Sequence, residues 1–100
     1  MPKEATIRKK AITELESKGW ICWYPKKVKF HETDIMGVFD LLCLHPDYQF
    51  TRYIQLTTFS NLSARRKKVG NFLKKHNLRI WAEIWAWHKG KKDFVIERFD

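Results

Sequence analysis

The chain has 100 residues, of which 44% are apolar and 15% aromatic, and twenty Lys or Arg against eleven Asp or Glu give a formal charge of +9. That composition fits one small domain, residues 1–100, with a real core, and it excludes a disordered chain. No apolar run approaches the roughly 18 residues that span a bilayer, and the N-terminus has no apolar signal core. A cytoplasmic protein with no membrane partner is therefore expected, and the excess of basic residues points to a polyanion, nucleic acid first.

Residues 2–18 read as a helix, with Pro2 at its first position and Gly19 as its stop. Ile7, Ala11, Ile12 and Leu15 form its apolar arc, which Glu4 and Arg8 interrupt. Those two are either an ordinary pair one turn apart or side chains reaching over the sheet toward a buried acid. Residues 20–24, WICWY, read as a short strand ended by Pro25. Lys26, Lys27 and Lys29 follow in a loop that suits phosphate contact or plain solvation.

The centre of the chain is the stretch 37–58. GVFDLLCL and RYIQLTT read as adjacent antiparallel strands, joined by a turn over HPDYQFT. Asp40 stands among large apolar residues, where a carboxylate needs a metal or a hydrogen-bond donor. Strand periodicity puts Tyr53, Gln55 and Thr57 on one face, with Ile54 and Leu56 on the other. Asp40 and Gln55 would then form a small oxygen-rich cluster, the kind of site that hard divalent cations bind. The plainer alternative is a satisfied structural carboxylate beside an edge amide.

A basic helix follows, capped by Ser60, Asn61 or Ser63, with Leu62, Val69, Phe72, Leu73 and His76 turned inward. It carries Arg65, Arg66, Lys67, Lys68, Lys74 and Lys75 and no acid. A one-signed run beginning beside the Gln55 strand is well placed to hold a phosphate backbone. LRIWAEIWAWH alternates as a strand, with an Ile/Ala face that suits a helix. Its tryptophan face needs cover from the first helix, the last strand or a second subunit. A turn over 89–92 leads to a closing strand over 93–99. Cys22 and Cys43 sit among apolar neighbours as reduced thiols, and their spacing to His31 and His45 fits no zinc pattern. The expected fold is α/β in the order αβββαββ, a central mixed sheet of about five strands flanked by two helices.

The element order, together with GVFDLL and the Gln55-Leu56-Thr57 triplet that starts fifteen positions after Asp40, resembles the PD-(D/E)XK nuclease superfamily. It is most similar to the Holliday-junction-resolvase-like and VRR-NUC branch, which shares a helix ending in Lys-Gly-Trp, here Lys18 to Trp20. The resemblance covers most of the chain and rests on a short signature. It implies a restriction-endonuclease-like fold and a Mg2+- or Mn2+-dependent DNA endonuclease, homodimeric because two strands are cut symmetrically. It also implies that Asp40, the Gln55 side-chain oxygen and the Leu56 carbonyl hold the metal. Glu4 corresponds to the helix glutamate of that branch, although it lies further from Lys-Gly-Trp than usual and Arg8 takes the expected place. Thr57 stands where the family has its lysine, so a cation must come from Lys68, Arg65 or Arg66, or catalysis is lost. The alternatives are a non-catalytic nucleic-acid-binding or regulatory protein on a decayed nuclease scaffold and a protein-interaction module that uses the tryptophan face.

Overall fold

A computed structural model describes residues 4–25 and 34–99. Helix α1 (Glu4–Ser17) stops at Gly19, whose φ of +89° is the left-handed conformation that glycine adopts freely. The Gly19 N–H bonds the Glu16 carbonyl, and the Trp20 N–H bonds the Leu15 carbonyl, closing the last turn. Strands β1 (Ile21–Trp23), β2 (Leu41–His45) and β3 (Tyr48–Thr58) follow. A short 3-10 turn over Phe59–Asn61 leads into α2 (Leu62–Lys75), and β4 (Trp81–His88) and β5 (Asp93–Phe99) complete the chain.

The five strands form one sheet in the order β1-β2-β3-β4-β5. Only β3 and β4 run parallel, because the α2 crossover joins them, so the sheet is mixed. This is the α/β arrangement and element order expected from the sequence.

Each helix covers one face. Ile7, Ala11 and Leu15 of α1 pack on Leu41, Cys43, Ile54, Leu56 and Trp85. Leu62 and Val69 of α2 pack on Ala82, Ile84 and Ala86, whose small side chains let the helix approach closely. The first helix therefore covers the tryptophan face, and the Ile/Ala face receives α2. Both layers are apolar where they meet the sheet, and such burial contributes about 25 cal/mol per Å² removed from water.

Three details differ from the sequence reading. The strand expected over 37–44 begins at Leu41. Met36 and Gly37 have φ of 54° and 72°, and Ile35 and Phe39 pair across the tight turn they make. That turn drives Val38 and Phe39 into the core under α2 and leaves Asp40 at the mouth of β2. The turn expected over 45–51 is confined to 46–47, and Tyr48, Gln49 and Phe50 already belong to β3. His76 is exposed at the end of α2, its ring against Phe72, rather than turned inward. No helix of the described residues is long and apolar enough to cross a membrane.

Candidate functional site

Asp40 and Gln55 occupy facing positions, one step beyond the Leu41–Ile54 partners of β2 and β3. The Asp40 N–H still bonds the Ile54 carbonyl at 2.8 Å, so the residue is held in the ladder. Its carboxylate does the work a main-chain carbonyl does elsewhere. Oδ2 accepts the Leu56 N–H at 2.8 Å and the Gln55 Nε2 amide at 2.5 Å. The same Nε2 donates to the Leu56 carbonyl at 3.1 Å. Gln55 is only 4% exposed, and its Oε1 is buried with no hydrogen-bond partner among the described residues.

An unpartnered buried amide oxygen costs about 1–3 kcal/mol, and its position shows what would relieve it. Nε2 sits between two oxygens, Asp40 Oδ2 and the Leu56 carbonyl. Turning the amide over brings Oε1 to the same point, where three oxygens would converge. A cation, or a donor such as water, stabilises that arrangement, and hard divalent cations favour such oxygen sets. The donor set implied by the family resemblance therefore fits a metal chemically. It supplies one formal negative charge, and no group of three or more His, Cys, Asp or Glu side chains is placed to hold a metal among the described residues.

These residues open onto a cavity of about 320 Å3. Asp40, Gln55, Leu56 and Thr57 form its floor, and Ile7 from the first turns of α1 closes one side. The other wall belongs to α2. Asn61, Arg65 and Lys68 lie at helical spacing and all line the cavity. Asn61 is the N-cap residue, but its side chain makes no capping hydrogen bond. The Leu62 N–H is taken by the Phe59 carbonyl, but the first turn of α2 contains no acid, so its positive dipole end has no counter-charge within that turn. A helix amino end flanked by an arginine and a lysine favours an anion such as phosphate.

Thr57, the residue that the resemblance aligns with a lysine, is 7% exposed and lines the cavity. Of the three cations considered as that lysine's replacement, Arg65 and Lys68 reach the cavity wall and Arg66 does not. Arg66 forms a two-point ion pair with Glu97 of β5, at 2.8 and 2.5 Å. That pair raises the arginine above its ordinary pKa and holds the Glu97 carboxyl below the usual carboxylate range. Lys67 is exposed and does not line the cavity. Arg8 does not reach toward Asp40, because its guanidinium lies 4.3 Å over the Tyr24 ring. The Glu4 side chain and the loop lysines Lys26, Lys27 and Lys29 fall outside the described residues.

Sequence reasoning missed Asp34 and Thr58, which also line the cavity. Asp34 adds a second carboxylate to the wall, from the residue just before the Ile35–Phe39 turn. Nothing in its sequence spacing to Asp40 marks that approach, because the left-handed turn between them creates it.

The two cysteines are facing partners in β1 and β2, with sulfur atoms 3.6 Å apart and both thiols free. The Cys43 thiol donates to Cys22 and lowers its pKa, while that same bond and burial push Cys43 up. Compared with known proteins, the chain matches no family model, and no curated protein or solved structure matches it significantly.

Proposed function

We propose that the protein is a metal-dependent DNA endonuclease, a cytoplasmic homodimer that hydrolyses phosphodiesters in branched, Holliday-junction-type DNA. The observation that carries this reading is the convergence of Asp40, Gln55 and the Leu56 carbonyl in one cavity whose opposite wall presents Arg65 and Lys68. Asp40 Oδ2, Gln55 Oε1 and the Leu56 carbonyl would hold Mg2+ or Mn2+, which supplies Lewis-acid polarisation of phosphate and a more acidic bound water. Arg65, Lys68 and the amino end of α2 hold the phosphate and offset the charge that develops on its oxygens. Lys68 takes over the charge of the absent lysine, and the Thr57 hydroxyl orients water without adding charge. Ile7 gives the cavity one apolar side.

A second reading has a specific observation in its favour. Thr57 carries no cation, and the Gln55 amide already satisfies Asp40 without metal. A non-catalytic nucleic-acid-binding or regulatory protein on the same scaffold would look this way.

A cleavage assay separates them. Linear and four-way DNA are incubated with Mg2+ or Mn2+ and wild-type protein or Asp40→Ala. Metal-dependent cutting that the substitution abolishes, with DNA binding retained, is expected. Equal cutting by the variant removes Asp40 from the mechanism, and no cutting of any substrate by wild type leaves the binding reading.

A further inference from the structure

Behind the Asp40 cavity, β3 runs back five residues to Phe50, roughly 17 Å at strand spacing. There a second groove, about 770 Å3, opens under the carboxyl end of α2. Three rings, Phe50, Trp81 and Phe99, and three cations, Lys74, Arg79 and Arg98, line it, and no acid does among the described residues.

The rings are part of a ladder. Trp20 stacks on Tyr48 at 5.6 Å and 13°, and Tyr48 stacks on Phe50 at 5.4 Å and 23°. Phe50 meets Trp81 at 4.3 Å, and the Arg98 guanidinium lies 3.8 Å over the Trp81 ring. Trp20 is buried, yet Tyr48 is 51% and Phe50 41% exposed. Trp20 also meets Phe50 and Trp81, so the rings cluster around a buried residue and reach solvent at Tyr48 and Phe50. The carboxyl end of α2 borders the groove with its last carbonyls partly satisfied. Its Leu73 and Lys74 carbonyls are taken by the Leu78 and Asn77 N–H groups.

An exposed aromatic ring, here Phe50, beside cations such as Lys74 and Arg79 supplies the two elements of single-strand recognition. Bases stack on rings whatever their sequence, and cations track the backbone. A duplex hides its base faces and has no use for the rings. An acidic peptide would use the cations alone.

We propose that this groove binds an unpaired stretch of single-stranded nucleic acid, with a base stacked on the exposed part of Phe50 and the backbone held by Lys74 and Arg79. The inference rests on the nucleic-acid part of the function proposed above and is independent of the metal.

The test is fluorescence anisotropy in EDTA with a labelled oligothymidylate and a labelled duplex of the same length. Phe50→Ala is expected to weaken the single strand about tenfold, the effect of one stacked base, and to leave the duplex within about twofold. Phe50→Trp restores single-strand binding. Lys74→Ala with Arg79→Ala lowers the salt slope for the single strand by about 1.4, which corresponds to two phosphates. Circular dichroism confirms that each variant is folded. Single-strand binding unchanged in Phe50→Ala overturns the proposal. So does displacement of the oligonucleotide by polyglutamate as readily as by unlabelled oligonucleotide, which marks an acidic-peptide groove. A fall in particle mass from dimer to monomer in Phe50→Ala also overturns it, because the face then joins two copies of the chain. Wild-type protein that binds the single strand through Phe50 but cuts no DNA leaves this inference standing and removes the nuclease alone.

Discussion

Glu83 offers a direct test of how the tryptophan face is held together. It is 3% exposed in the middle of β4 and collects three donors. Arg52 Nη2 donates to Oε1 at 2.5 Å, Trp85 Nε1 to the same oxygen at 2.9 Å, and Trp81 Nε1 to Oε2 at 2.5 Å. Arg52 lies between the rings of Trp20 and Trp81, 4.6 and 5.2 Å from their centroids, and its side chain is 12% exposed. Glu83→Gln keeps the volume but replaces one acceptor oxygen with an NH2 group. Whichever way that amide turns, at least one indole or guanidinium N–H faces another N–H, and Arg52 loses its counter-charge. Breaking a buried pair from one side costs about 3–5 kcal/mol. The whole stability of a domain is about 5–15 kcal/mol. At about 4–8 °C per kcal/mol for a chain of this size, Tm falls by at least about 12 °C. Urea unfolding followed by tryptophan fluorescence and circular dichroism measures the loss. Arg52→Met in the Glu83→Gln background should cost less than in wild type, since the two side chains are coupled. A loss below about 1 kcal/mol for Glu83→Gln, with additive behaviour in the double variant, would show that the network contributes little and the reasoning is mistaken.

Gly19→Ala should destabilise by about 1–2 kcal/mol, because φ is +89° and the new Cβ would stand 2.7 Å from His45 Nε2; an unchanged Tm would contradict that geometry. Alkylation should distinguish the thiols. Cys22, whose pKa is lowered by the Cys43 thiol, reacts with a midpoint below that of an ordinary cysteine, and buried Cys43 stays silent. Cys43→Ala should move that midpoint upward, as mass spectrometry across a pH series would record. Arg66→Ala should flatten the acid limb of the stability curve. The carboxyl of Glu97 is depressed in the folded state, so its contribution is present above the unfolded pKa and fades as pH falls through the folded value. Equal pH dependence in wild type and variant from neutral to acid would refute this.

The element order was readable because apolar runs and their punctuation agree along the chain. LRIWAEIWAWH alternates cleanly because β4 has a helix on each face, and Lys-Gly-Trp stops α1 because only Gly19 must take a left-handed backbone. The pairing of Asp40 with Gln55 was also legible, since two facing strands place their polar exceptions opposite one another. The turn at Met36 was not, because a non-glycine residue at φ 54° leaves no mark in composition. The start of β3 was hidden for another reason. Tyr48 and Phe50 lie at its largely exposed end, so no buried alternation marks them as strand. Nor could spacing say which cations reach the cavity. Arg66 adjoins Arg65 in sequence, yet one helical step turns it to β5 and Glu97.

The sheet's strand order equals its chain order, and this bears on how the molecule is assembled. Two hairpins, β2 with β3 and β4 with β5, close over short turns and need little search. Joining them requires the long α2 crossover, which brings Arg52 beside Trp81. Loop-closure entropy therefore falls mainly on that docking event and on the pairing of β1 with β2 across the long connection between them. The docking event completes the wall of the Asp40 cavity, so a chain arrested before it would bring Asp40 to Gln55 without Arg65 and Lys68 across from them.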